Sequence, residues 1–147
     1  MGWRCHRIVK TPEMLLDVPS IAGEHVTWCK AQDLKTEFCP DDATAFLIMS
    51  HHMSTDFNYL KEVLSINYAY IGMLGSQRRK QRLLHSLGEQ GMLDQPSIQK
   101  GLERFYAPAG LDLGGNHPTT IALSIISEIQ AAFSQRDMTQ INTLKNR

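Results

Sequence analysis

Three times along this chain a short, almost wholly apolar run gives way to a stretch with helical periodicity. Ala43 to Met49 is followed by Ser54 to Leu64, where Phe57, Leu60, Val63 and Leu64 recur at helical spacing. Tyr68 to Leu74 is followed by a basic helix over about Gln77 to Gln90, with Gly91 placed as a C-terminal cap. Arg104 to Ala107, a shorter strand, is followed by a glycine-rich loop and a strongly apolar helix over about Thr119 to Ser134. Asn116 or His117 can cap that last helix, and Pro118 at its first position has no N–H to lose. Strands that are apolar on both faces belong inside a parallel sheet, and parallel strands need crossover helices. The expected class is therefore a doubly wound α/β fold.

Less constrained readings apply at the two ends. Cys5 to Val9 and Val26 to Cys29 are expected as outer strands, with Pro12 to Glu24 as a flexible insertion. Residues 1–135 read as one domain and 136–147, which lack periodicity, as a frayed tail.

Composition narrows the function classes. Fifteen Lys and Arg balance fifteen Asp and Glu among 147 residues, so the chain has no basic excess for wrapping nucleic acid or lying on an anionic membrane. No apolar run approaches the roughly 18 residues of a membrane span, and the first residues begin no signal peptide. Cys5, Cys29 and Cys39 form neither a disulfide framework nor a metal knuckle, and nothing near them predicts a reactive thiolate. A cytoplasmic protein is expected.

In open α/β sheets, ligands sit at the carboxyl ends of the strands, where helix N-termini also point. Three segments fall there: Ser50 to Asp56, Gly72 to Lys80, and Gly110 to His117. In the first, His51, His52 and Asp56 could hold a metal, hydrogen-bond a heterocycle or exchange protons; equally, Asp56 is a helix-start charge and the histidines are exposed. In the second, Gly72, Gly75 and Ser76 precede Arg78, Arg79, Lys80 and Arg82, a pattern that suits an oxyanion or a tight turn with a solvated basic face. In the third, Gly110, Gly114 and Gly115 surround Asp112 before a capped helix, which favours close approach of a phosphate or marks a constrained crossover. Glu128, amid the apolar last helix, reads as part of a solvated stripe with Ser124 and Gln135. The dinucleotide spacing Gly-x-Gly-x-x-Gly and the signatures of serine hydrolases, zinc proteases and P-loops do not occur.

Taken in order, four motifs resemble the XdhC/CoxI family, accessory proteins for xanthine dehydrogenase and related molybdenum hydroxylases. They are Ser50-His51-His52 with Asp56; Tyr70-Ile71-Gly72-Met73-Leu74-Gly75-Ser76; Ala107-Pro108-Ala109-Gly110-Leu111-Asp112-Leu113-Gly114-Gly115; and Pro118 followed by Ile121-Ala122-Leu123-Ser124-Ile125 and Glu128-Ile129. The resemblance implies a Rossmann-like three-layer domain with a mainly parallel sheet, here without its first βα unit. It implies a chaperone and no catalyst of turnover, which binds molybdenum cofactor (molybdopterin) and delivers it to a hydroxylase apoenzyme alongside a cofactor sulfurase. His51, Asp56, Gly72, Gly75, Ser76, Arg78, Arg79, Gly110, Asp112, Gly114 and Gly115 are the expected cofactor contacts, the arginines at a phosphate and His51 with Asp56 at a polar ring edge. No catalytic residue and no metal ligand is assigned.

Two rivals stand beside that reading. One is a fragment of an NAD(P)-dependent oxidoreductase, although NAD(P) is not expected without the glycine spacing or a ribose-binding acid. The other is a remnant that binds no ligand and dimerises through the 119–134 helix.

Overall fold

The computed structural model describes residues 2–19 and 21–134, and the expected tail at 136–147 lies outside them. The chain divides into two compact units between Cys39 and Pro40.

The first unit holds strand β1 (Cys5–Val9), a one-turn helix α1 (Met14–Asp17), strand β2 (Glu24–Trp28) and helix α2 (Leu34–Phe38). β1 and β2 pair in parallel, with Cys5 opposite Glu24 and Val9 opposite Trp28. The Arg7 guanidinium donates through Nε and Nη2 to the two oxygens of Glu24, each at 2.7 Å. The expected insertion at 12–24 thus contains a helical turn, too short to leave a periodic signature.

The second unit carries the three cycles. Strand β3 (Ala45–Ile48) leads to helix α3 (Met53–Leu64), strand β4 (Tyr70–Met73) to helix α4 (Gln77–Glu89) and helix α5 (Pro96–Leu102), and strand β5 (Phe105–Tyr106) to helix α6 (Pro118–Phe133). The sheet order is β3-β4-β5, parallel throughout, so the doubly wound α/β class expected from the sequence is the one found. No described strand pairs with both β1 and β3.

β4 is central and all four of its residues are buried, as its apolar composition demands. Tyr70 packs with Ala109, Ile125 and Ile129 in the core, and its ring stacks on that of Tyr106 with centroids 5.1 Å apart. α3 buries Leu60, Val63 and Leu64, whereas α4 buries only Leu83 and Leu87 and leaves Arg78 and Arg82 in solvent. Gly91 adopts φ +66° just past α4, the left-handed cap that its position predicts.

Candidate functional site

Because β3, β4 and β5 are parallel, the segments that follow them leave the sheet at one edge. Those segments are 49–52, 74–76 and 107–117, which correspond to the three read from the sequence.

After β3, His51 has φ +60° and its side chain is exposed. Histidine tolerates this left-handed region better than most residues. Asp56, by contrast, is 1% exposed in the first turn of α3. Its Oδ2 accepts from Arg79 Nε at 2.9 Å and from Arg79 Nη2, and its Oδ1 accepts from the Ser50 hydroxyl. Asp56 and Arg79 therefore clamp the start of α3 to the start of α4. Arg78 and Arg82 remain exposed on α4. Ser76 caps that helix, its Oγ accepting from Arg79 N–H at 3.3 Å, and Gly75 precedes it with φ +148°.

Gly72 is buried within β4, where a Cβ would lie 2.6 Å from the Tyr70 hydroxyl and 2.9 Å from Leu47 Cδ1. Absence of a side chain lets the Tyr70 ring lie along the strand. The Tyr70 hydroxyl donates to Glu128 Oε2 at 2.6 Å, and the Gly110 N–H donates to the same oxygen at 2.7 Å. This corrects the sequence reading of Glu128 and Ser124 as a solvated stripe: they are 0% and 6% exposed. A buried carboxylate persists where donors replace water, and two of those donors come from β4 and the 107–117 loop. Burial, then the charge of Glu128, pushes the Tyr70 phenol well above its usual range. The Tyr106 phenol is raised by the same two causes.

Gly110 has φ +98°, and a Cβ there would stand 2.3 Å from Ser124 Oγ. The loop consequently lies tight against α6. Further along, Asp112 Oδ1 accepts from the Gly114 N–H at 3.1 Å, closing an Asx turn. His117 caps α6, Nδ1 accepting from Thr119 N–H at 3.4 Å, with Pro118 at the first helical position as expected.

Between this loop and the first turns of α4 and α6 lies a cavity of about 520 Å³. Its polar lining is Gln77, Asp112, Asn116, Thr120 and Ser124; its apolar lining includes Ala109, Leu111, Leu113 and Ile121. Gly110, Asp112 and Gly115 border it, while His51, Asp56, Arg78 and Arg79 are not among its walls. Gln77 and Thr120 carry no motif, and only their place at the starts of two helices following parallel strands could have marked them. Among the described residues no group of three or more His, Cys, Asp or Glu is gathered to hold a metal ion.

A family model for the XdhC Rossmann domain matches residues 9–129, spanning both units and every element that builds this edge. The chain belongs to the XdhC Rossmann domain family. It is 36% identical over 93 residues to a probable xanthine dehydrogenase subunit from Bacillus subtilis, covering 63% of this chain and 24% of that protein. It is 31% identical over 74 residues to the "Uncharacterized protein YqeB" of Escherichia coli, covering 50% of this chain and 13% of that one. The chain thus spans a quarter or less of the curated relatives it matches. Among solved structures it is similar to a xanthine dehydrogenase from Bacillus halodurans, with a TM-score of 0.59, 28% identity, and coverage of 79% of this chain and 31% of that one. Among the described residues no helix is long and apolar enough to cross a membrane.

Proposed function

We propose that this XdhC-type chain is an accessory part of the machinery that matures a xanthine dehydrogenase-like molybdenum hydroxylase. In this reading it holds molybdenum cofactor at the carboxyl edge of β3-β4-β5 and passes it to the apoenzyme, with a cofactor sulfurase as the second partner. The single observation that carries the reading is the cavity of about 520 Å³, whose size and mixed lining suit a small organic cofactor. Amide and hydroxyl groups from Gln77, Asn116 and Thr120 fit a hydrogen-bonding heterocycle. Outside the cavity, exposed Arg78 and Arg82 on the first turns of α4 suit a phosphate. When bound, the cofactor supplies the redox centre of the enzyme that receives it, and this chain contributes binding and shelter. Likeness to proteins named for a xanthine dehydrogenase supports the choice of partner.

We further propose that α6 seats a second copy of the chain. Its outward residues Thr119, Ala122, Leu123, Ile126 and Gln130 are uncharged, and its only ionisable residue, Glu128, is buried. Two such faces can meet without like-charge repulsion.

The test is retention of cofactor released from a mature hydroxylase, read by the fluorescence of its oxidised pterin after gel filtration with the chain. Retention that falls in an Arg78→Ala/Arg82→Ala double variant, together with faster activation of apo-hydroxylase by the loaded chain, is expected. No retention and no effect on activation would overturn the reading.

A further inference from the structure

The cavity at the carboxyl edge is lined by one formal charge, and that charge is negative. Asp112 supplies it; no Lys, Arg or His is among the lining residues. The starts of α4 and α6 add partial positive charge but no formal one, and one first-turn N–H of each, that of Arg79 and that of Thr119, is held by Ser76 Oγ and His117 Nδ1. An oxyanion placed here would face a carboxylate with no counter-charge, which is unfavourable at short range. Among the described residues no further His, Cys, Asp or Glu is gathered beside Asp112 to build a metal site.

A neutral ring rich in N–H groups meets the opposite situation. The Asx-turn bond from the Gly114 N–H to Oδ1 fixes the Asp112 carboxylate in orientation. A carboxylate offers about four lone-pair sites, so most of its accepting capacity remains for a ligand. Leu111, Leu113 and Ile121 provide apolar surface for the faces of a flat ring. The cavity floor is held firm by the Gly110 N–H bond to buried Glu128 at 2.7 Å.

We propose that Asp112 reads the edge of an aminopyrimidinone-type heterocycle, accepting from a ring N–H and the exocyclic amine beside it, while any phosphate of the ligand stays outside the cavity. The proposal rests on the reading that this cavity is the ligand site, and it assigns which end of the ligand enters. Two N–H groups side by side match the two oxygens of a carboxylate, as the paired N–H groups of an arginine fork do.

The experiment is a fluorescence titration of the 147-residue chain with two phosphate-free probes, pterin and lumazine. Lumazine keeps the ring N–H and replaces the exocyclic amine with a carbonyl. Pterin is expected to bind about tenfold more tightly or better, the usual scale for a hydrogen bond to a charged group. Asp112→Asn keeps an oxygen for the Gly114 N–H, so the melting temperature stays put, and it levels or reverses the preference. Millimolar pyrophosphate leaves pterin binding unchanged. Equal binding of the two probes, an unaffected Asp112→Asn variant, or displacement by pyrophosphate overturns the proposal. Retention of whole cofactor without pterin binding would sink this assignment and leave the maturation reading standing. Asp112-dependent pterin binding without retention of whole cofactor would do the reverse.

Discussion

The hydroxyl of Tyr70 donates to the carboxylate of Glu128 at 2.6 Å across 58 residues of sequence. The bond joins the central strand to the last helix, and the Gly110 N–H meets the same oxygen at 2.7 Å. One buried acid thereby fixes the strand, the helix and the loop that walls the cavity. Tyr70→Phe removes a single donor and should cost about 1–3 kcal/mol in urea unfolding. Glu128→Ala also leaves a cavity and the Gly110 N–H without its acceptor, and its loss should be the larger of the two.

Gly110 and Gly114 both have positive φ, at +98° and +71°, yet they should respond differently to alanine. At Gly114 a Cβ meets nothing within 4 Å, so the cost is that of the backbone alone, about 1 kcal/mol. At Gly110 it would stand 2.3 Å from Ser124 Oγ, on a helix that Glu128 already ties to the sheet. Thermal melts of Gly110→Ala and Gly114→Ala should therefore separate clearly, with Gly110→Ala much the less stable. Similar melting temperatures would show that the loop can retreat from α6.

Parts of this arrangement were open to sequence reasoning, and the limits are physical. β4 announced itself because a strand buried along its whole length is apolar throughout, β3 because its partly buried run is apolar as well, and α6 because Pro118 follows a capping histidine. α5 escaped because its seven residues bury only Ile98 and Gly101, too few for a periodic stripe. α1 and α2, at four and five residues, are shorter than the window that periodicity needs. The carboxyl-edge loops were legible from the parallel-sheet rule alone. Glu128 was misread because a lone acid in an apolar helix looks the same whether it faces water or a partner, and its partner Tyr70 lies far away in sequence. The Asp56–Arg79 pair was hidden likewise, since each residue had a plausible local role at its own helix start.

Two ion pairs in this chain should differ in worth. Asp56 is 1% exposed and Arg79 20%, and the carboxylate is also bonded to Ser50. Asp56→Ala leaves the guanidinium without its counter-charge beneath the surface, at a cost of about 3–5 kcal/mol. The Arg7–Glu24 pair is bidentate but nearer the surface, its side chains 36% and 11% exposed, and its contribution should stay at about 1 kcal/mol. Urea unfolding of Asp56→Ala and Glu24→Gln checks the contrast. A Glu24→Gln loss as large as that of Asp56→Ala would refute it.

Stability should decline on the alkaline side. Burial raises the phenols of Tyr68, Tyr70 and Tyr106 above the ordinary value of 10.0. It also raises the Cys29 thiol above 9.0, with Glu37 and Asp33 adding to the effect. In the unfolded chain these groups release protons at their ordinary values, whereas in the folded chain they keep them. The unfolded state then binds fewer protons, so stability is intact below about pH 9 and falls as pH rises beyond it. Urea midpoints between pH 7 and pH 11, with tyrosinate absorbance recorded alongside, should show that fall. Tyr70→Phe should be weaker at neutral pH and lose less on going alkaline; an identical slope would remove Tyr70 from the account.

The apolar stripe of α6 should govern assembly. Leu123 is 58% exposed and Ile126 37%, neighbours on a helix with no exposed charge. Burying such side chains against a second copy gains about 25 cal/mol per Å² of apolar surface, and a carboxylate set in the middle would forfeit that gain and repel its symmetry mate. Sedimentation equilibrium should show a monomer–dimer equilibrium for the unaltered chain and a monomer for Leu123→Glu. Because Leu123 already faces outward, that variant should keep its helical circular dichroism. An unaltered chain that stays monomeric at high micromolar concentration would exclude the self-association proposed for this face.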